Sequence, residues 1–153
     1  MLLAEQITPY EKVEHWLVAY ADWKAQLEYA QTELTHIPGL TKALHEVAIY
    51  GSGQPNDTLL RTVIHRLEIT EYEIPFLQSR IGLIEYAFSA LAPEERRFVQ
   101  LRYQDQLAFS IVIDRLGLSR RAYFYHRKRI LQKIYRKIKS RTALLEYHPF
   151  DEK

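Results

Sequence analysis

The sequence of 153 residues predicts an all-α fold, in which an N-terminal heptad-rich helical hairpin precedes a C-terminal helix-turn-helix domain. The first observation is periodicity: two stretches within residues 9–91 repeat apolar side chains at the spacing of one helix face. The second is a Gly-Leu-Ser turn at residues 117–119 between two further helical patterns. The third is charge, because residues 1–92 hold 6 Lys or Arg against 12 Asp or Glu, whereas residues 93–153 hold 15 against 7. The two parts of the chain are therefore expected to have different roles.

The composition excludes several classes of function. The chain has no cysteine, which removes disulfides, thiolate metal sites and cysteine nucleophiles. Its six histidines lack a zinc-binding spacing, and no nucleophile stands at a recognisable distance from a base. We therefore expect no metal, no cofactor and no enzymatic activity. The N-terminus lacks a signal-peptide pattern and no apolar run reaches the roughly 18 residues of a membrane span, so we expect a cytoplasmic protein without a membrane segment.

Residues 9–37 are predicted to form one long helix. Thr8 can cap it, Pro9 suits its first turn, and Glu11 completes a capping box with Thr8. A Pro-Gly pair at residues 38–39 ends the helical pattern. The apolar residues keep a heptad that suits packing against another helix, with its two positions filled by Val13, Tyr20, Leu27 and Leu34 and by Trp16, Trp23, Ala30 and Ile37.

A second heptad pattern extends from Leu60 to Leu91. Residues 40–50 suit a short helix and residues 51–56 a loop, after which Asp57 can begin the long helix. Pro75 removes a backbone donor and is expected to kink or locally break that helix. The two heptad segments pack either as an antiparallel hairpin or against their copies in a dimer, and the sequence leaves both arrangements open. The heptad positions hold Leu60, Leu67, Ile74, Ile81 and Phe88, and Val63, Thr70, Leu77, Ile84 and Leu91.

The C-terminal third is predicted to contain a series of shorter helices. One begins at Ala92-Pro93-Glu94-Glu95, where proline and acidic residues suit a first turn. Residues 103–106 are typical of a connector, and Ser110 is predicted to cap the following short helix. Gly117 ends that helix, Ser119 caps the next one, and we expect the tail 142–153 to be loosely ordered. The helix from Arg120 to about Lys139 is predicted to face inward through Tyr123, Ile130, Leu131, Ile134 and Ile138.

Residues 115–141 contain eleven Lys or Arg and no Asp or Glu. A helix with this charge, placed second after a tight turn, suits DNA, whereas a solvated face and a membrane-surface helix are the alternatives. Because the N-terminal residues of such a helix reach base edges, we predict base contacts by Arg120, Arg121, Phe124 and Tyr125. Phosphate contacts are predicted for the neighbouring cations Arg96, Arg97, Arg102, Arg127, Lys128, Arg129, Lys133 and Arg136.

Several motifs carry a family resemblance: Leu91-Ala92-Pro93-Glu94-Glu95-Arg96, Leu101-Arg102-Tyr103, Ser110-Ile111-Val112-Ile113-Asp114-Arg115-Leu116-Gly117-Leu118-Ser119 and Leu131-Gln132-Lys133-Ile134. Together they resemble region 4 of bacterial sigma factors, which recognises promoter DNA. Tyr123-Phe124-Tyr125 and the basic run after it resemble the phage and prophage transcriptional regulators of the ArpU and RinA type, which are small, largely helical and associated with late genes. The resemblance implies that Arg120, Arg121 and Tyr125 lie in the major groove. Asp114 departs from the small alanine often found at its position, so it must face outward or be paired.

These observations divide the sequence into three parts. Residues 1–90 form a helical region for oligomerisation or partner binding, residues 91–141 a sigma-region-4-like helix-turn-helix domain, and residues 142–153 a tail. We predict a sequence-specific DNA-binding transcriptional regulator of phage genes. Its expected partners are double-stranded DNA, a second copy of the chain in a dimer, and RNA polymerase. Two alternatives stay open: a phage DNA-packaging component resembling a small terminase subunit, and an adaptor that binds RNA polymerase or a sigma factor.

Overall fold

The computed structural model describes residues 8–35 and 57–146, which form helices joined by short turns, with no strand among them. The all-α prediction is therefore confirmed. The short helix predicted over 40–50 and the loop over 51–56 lie outside the described residues. The α-helices are α1 (Pro9–Thr35), α2 (Asp57–Glu68), α3 (Ile74–Phe88), α4 (Pro93–Val99), α5 (Phe109–Leu116), α6 (Arg120–Ile138) and α7 (Ala143–Glu146), and π-helical turns occupy Ile69–Glu73 and Gln100–Gln104.

The chain divides into two compact units that differ from the predicted domains. Among the described residues, one unit comprises residues 8–23 and 79–146, and the other comprises residues 24–35 and 57–78. The predicted boundary at residues 90 and 91 does not coincide with this division. The reason is that the first half of α1 packs with the C-terminal helices, since Tyr10 Oη accepts a hydrogen bond from Gln132 Nε2 at 3.1 Å. The unit with the predicted DNA-binding helix thus contains the first half of α1 as well as the helices from the second half of α3 to α7.

In the first unit, α1 runs antiparallel to the second half of α3. Its start carries the predicted capping box: the Thr8 amide donates to Glu11 Oε2 at 3.2 Å, and the Glu11 amide donates to Thr8 Oγ1 at 3.3 Å. Tyr20 Oη donates to Glu85 Oε1 at 3.0 Å, and the Arg80 guanidinium lies 5.0 Å from the centre of the Trp23 ring. Burial and the bond to Glu85 raise the pKa of Tyr20 to about 12, so the phenol stays protonated.

The second unit joins the end of α1 to α2, the π-turn and the start of α3. Ala30, Ile69 and Leu77 are buried there. His65 Nε2 and Glu33 Oε1 lie 2.6 Å apart, and this hydrogen bond raises the pKa of His65. The apolar side chains of α2 are less buried than Ala30, Ile69 and Leu77. Leu60 and Leu67, both at heptad positions, and the neighbouring Ile64 are each about half exposed.

Pro75, which is predicted to kink or locally break its helix, follows a turn with altered hydrogen bonding. Residues 69–73 form a π-helical turn, in which the Ile74 amide donates to the Ile69 carbonyl. A π-turn widens the helix by one residue, which accommodates the missing donor and the ring of the proline. The helix continues through Pro75 to Phe88 rather than ending there.

Two local predictions in the C-terminal part are wrong. The helix α5 begins at Phe109 with Ala108 as its N-cap, so Ser110 lies within the first turn and does not cap it. The start of the predicted loose tail is helical: α7 spans Ala143–Glu146, and Leu145 is buried. The tail is held because the Leu144 carbonyl accepts a hydrogen bond from the buried Arg80 at 3.1 Å. Residues 147–153 lie outside the described part of the chain.

Candidate nucleic-acid interface

The turn between α5 and α6 has the predicted geometry. Gly117 adopts a left-handed conformation with φ of +63°, and the Leu118 amide donates to the Ile113 carbonyl at 3.1 Å. These are the features with which glycine closes a helix. Ser119 is the N-cap of α6, where its Oγ accepts the Ala122 amide at 3.0 Å. Asp114 is exposed, which satisfies the condition set by its departure from the family pattern.

The buried side of α6 determines which side chains point outward. All five residues predicted to face inward are at most 2% exposed, namely Tyr123, Ile130, Leu131, Ile134 and Ile138. Because a helix repeats every 3.6 residues, the opposite side is occupied by a second set at three- and four-residue spacing. That set, which we call the outer face of α6, consists of Arg121, Tyr125, Lys128, Arg129 and Arg136, all of them exposed.

The outer face is positively charged and chemically available. None of its four cations forms an ion pair with another residue in the described parts of the chain. From Arg121 to Arg136 the face extends about 22 Å along the helix, at 1.5 Å per residue. The sequence of α6 contains no acidic residue to weaken its field. Gln132 interrupts this face between Arg129 and Arg136, where it donates to Tyr10 Oη of α1, and the exposed cations on either side of it suit a polyanion.

The first turns of α6 also carry exposed aromatic rings. Phe124 is 43% exposed and Tyr125 is 61% exposed. Phe109, the first residue of α5, is 38% exposed and its ring centre lies 6.1 Å from that of Phe124. The guanidinium of Arg120 lies near both phenylalanine rings, at 5.8 Å from Phe109 and 6.0 Å from Phe124. All four predicted base-contacting residues are therefore exposed, but Arg120 is engaged with aromatic rings.

Arg127 belongs to the interior side of α6 and not to the phosphate-facing set. It donates through Nε to Glu14 Oε2 at 3.1 Å and through Nη2 to Glu14 Oε1. The same carboxylate accepts a bond from Tyr103 Oη at 2.9 Å. Partial burial lowers the pKa of Arg127, but the bonds to Glu14 outweigh it and raise the value. We therefore remove Arg127 from the predicted phosphate contacts.

Two further residues predicted to contact phosphate, Arg102 and Arg96, are held by hydrogen bonds within the protein. Arg102 donates to Tyr123 Oη at 3.0 Å and to the Leu107 carbonyl at 2.9 Å, which fixes the segment before α5. Arg96 donates to the Phe88 carbonyl at 3.1 Å and so caps the end of α3. The role that these bonds support is structural.

Lys133 is held by a carboxylate at the start of α4. Its Nζ lies 2.7 Å from Glu95 Oε1, which also accepts the Ala92 amide at 2.9 Å. Burial raises the pKa of Glu95. The bonds from Lys133 and Ala92 lower it by more than burial raises it, so the net shift of the pKa is downward. Arg97 is exposed, has no ion pair within the described residues, and stays available.

A groove of about 540 Å³ lies between α4, the turn and α6. Its apolar floor is formed by Phe98, Leu116, Leu118 and Ile130. Charged side chains also line it, of which Arg97 and Arg129 are positive and Glu94 is negative. The groove is a second surface next to the outer face of α6, and no pattern in the sequence predicts it.

Sequence reasoning missed the acidic partner and one aromatic residue. Glu14 stands beside the heptad residue Val13, and nothing in its local sequence signals a bond to a residue 113 positions away. The sequence predicts Ser110 as the cap of α5, whereas the helix begins one residue earlier, at Phe109. This difference puts the Phe109 ring at the entry to α5.

No protein-family model, curated protein or solved structure matches the chain. Among residues 8–35 and 57–146, no group of three His, Asp or Glu side chains could hold a metal ion. Within the same residues, no helix combines the length and the apolar character needed to cross a membrane.

Proposed function

We propose that this protein binds double-stranded DNA through the outer face of α6 and reads sequence in the major groove. The observation that carries the proposal is a capped helix, placed directly after a glycine-closed turn, whose outer-face cations form no ion pair with another residue in the described chain. Helices in that position of a helix-turn-helix enter the major groove with their N-terminal residues toward the bases. The helix itself contains no acidic residue that would offset the charge of this face.

The contacts divide by their position along the helix. Arg121 and Tyr125 lie in the first two turns, where they can reach base edges, and arginine can bond the O6 and N7 of guanine together. Lys128, Arg129 and Arg136 lie further along and are assigned to phosphates, which position the protein without reading sequence. Arg97, on α4, is the remaining available cation of the predicted set.

The finer proposal is a transcriptional regulator of phage genes. It is supported by the resemblance of the motifs around Gly117 and Ser119 to region 4 of sigma factors and of the Tyr-Phe-Tyr segment to ArpU- and RinA-type regulators. An adaptor that binds RNA polymerase is a second candidate, favoured by the apolar groove beside α6. A packaging component is distinguished from both because it would bind DNA without sequence preference.

Selection of bound sequences from random duplex DNA tests the proposal. The full-length protein is used at near-physiological salt and again at a higher salt concentration. A sequence-reading regulator should enrich a defined motif, and its symmetry should report whether one or two copies bind. A steep salt dependence with no enriched motif would mean phosphate contact alone and would contradict the proposal.

Two arginine variants provide the matched comparison. Arg121→Ala should lose about 1–3 kcal/mol of discrimination between the enriched duplex and a scrambled one, because a bidentate guanine contact is removed. Arg136→Ala should weaken binding to both duplexes alike and lower the salt slope by about one. Arg61, which is exposed on α2, supplies a control variant that should change neither quantity. Unchanged selectivity in Arg121→Ala would refute its assignment to the bases.

A further inference from the structure

The start of α6 carries an apolar surface that phosphate and guanine contacts leave unexplained. We call it the aromatic corner, and it consists of Phe109, Phe124 and Arg120. The two phenylalanine rings are 38% and 43% exposed. Both pack against Tyr123, with ring centres 5.9 Å away for Phe109 and 5.1 Å away for Phe124. Tyr123 is only 2% exposed and stacks on buried Phe98, so it anchors both rings in fixed positions.

The side chain of Arg120 lies against the two phenylalanine rings. Its guanidinium lies within about 6 Å of both phenylalanine ring centres, which is the range of cation–π attraction. Extending Arg120 toward the two acceptors of a guanine would give up both contacts. The aromatic corner therefore presents two partly exposed rings beside one positive charge.

Phe124 occupies the fifth position of α6, one residue before Tyr125, in the part of the helix that approaches base edges. In the major groove, guanine, adenine and cytosine present hydrogen-bonding groups, whereas thymine presents a methyl group at C5 beside its O4 acceptor. An apolar ring placed against a purine edge would leave hydrogen-bonding groups without partners. A thymine methyl is the base feature that gains from contact with phenylalanine.

We propose that Phe124, positioned by Phe109 and Tyr123, recognises thymine through its C5 methyl group. The inference rests on the proposed DNA-binding function and names the base that this part of the interface selects. It also changes the role predicted for Arg120, which holds the aromatic corner together and supplies charge toward the nearby backbone.

The test replaces each thymine of the enriched duplex, one at a time, by deoxyuracil. Uracil keeps the O4 acceptor and the pairing with adenine, so only the methyl group is removed. Burial of one methyl-sized group corresponds to about a fourfold change in Kd. The wild-type protein should therefore bind about fourfold more weakly when the thymine facing Phe124 is replaced.

Two substitutions of the same residue assign the effect. Phe124→Ala should bind the thymine and uracil duplexes equally, because the contacting ring is gone. Phe124→Leu should keep a preference for thymine, because leucine is apolar and fills part of the same volume. Tyr29→Ala removes a ring that is 71% exposed on α1 and should behave as the wild-type protein does.

The outcomes separate the inference from the function beneath it. If wild-type protein enriches a motif but binds thymine and uracil duplexes equally at every position, the inference is overturned and DNA reading stands. A thymine preference that persists unchanged in Phe124→Ala also overturns it, since another side chain would then read the methyl. If no motif is enriched, the proposed function fails and the inference fails with it.

Discussion

Removal of the charge on Glu14 should destabilise the unit that contains α6, although Glu14 lies on α1. Glu14 accepts bonds from Arg127 Nε at 3.1 Å, from Arg127 Nη2 and from Tyr103 Oη at 2.9 Å. The side chains of Arg127 and Glu14 are only 31% and 24% exposed, so water replaces these bonds poorly. The substitution Glu14→Gln keeps the shape of the side chain and leaves the guanidinium without its counter-charge.

The magnitude follows from the number and burial of these bonds. A hydrogen bond to a charged group contributes about 1.5–3 kcal/mol. The three bonds share one carboxylate and are not additive, and partial exposure screens the charge. We therefore expect Glu14→Gln to lower the free energy of unfolding by about 2 kcal/mol, which is about 1 M in the midpoint of urea unfolding.

Urea unfolding followed by tryptophan fluorescence measures this effect. Both tryptophans, Trp16 and Trp23, are buried in the unit concerned and report its unfolding. Lys12→Gln is the matched control, because the Lys12–Glu146 pair is 44% and 46% exposed and such pairs contribute about 0–1 kcal/mol. A Glu14→Gln midpoint no lower than that of Lys12→Gln would refute the assignment of a stabilising role to this cluster.

Three further predictions concern the turn and the start of α4. Gly117→Ala should lower the free energy of unfolding by about 1–2 kcal/mol in urea titrations, because no atom crowds the added Cβ and the cost is the left-handed backbone alone; an unchanged midpoint would contradict the strain. Ser119→Ala should cost about 1 kcal/mol through loss of the bond to Ala122, seen as a lower thermal midpoint, and a rise would oppose it. The bonds to Glu95 lower its pKa, so their stabilisation is present above the unfolded-state pKa and is lost as pH falls through the lower folded-state value. The pH dependence of unfolding should therefore flatten in the acid range in Lys133→Met, and an unchanged curve would count against the bridge.

The features that could be predicted from the sequence depend on neighbours within a few residues. The Thr8–Glu11 capping box, the glycine stop at residue 117 and the serine cap at residue 119 are each determined by backbone groups within one turn. The inward face of α6 follows from helical spacing in the same way. Local chemistry and periodicity are sufficient for these features because their partners are fixed by chain connectivity.

The features that could not be predicted depend on contacts between distant residues. Arg80 holds Leu144 across 64 positions, which orders the start of the predicted tail. Arg127 pairs with Glu14, which no local pattern could identify as its partner. The inward direction of Arg127 can be predicted from helical spacing, because Arg127 lies four residues after buried Tyr123 and four before buried Leu131.

Mapping of backbone amide shifts on addition of duplex DNA tests directly whether the outer face of α6 contacts DNA. The full-length protein is titrated with the enriched duplex while its amide resonances are followed by NMR. The account predicts that the largest changes occur at the outer face of α6, at Arg121, Tyr125 and Lys128, with little change at Leu60 or Leu67 on α2. Changes concentrated on α2, with the outer face of α6 unaffected, would contradict the account.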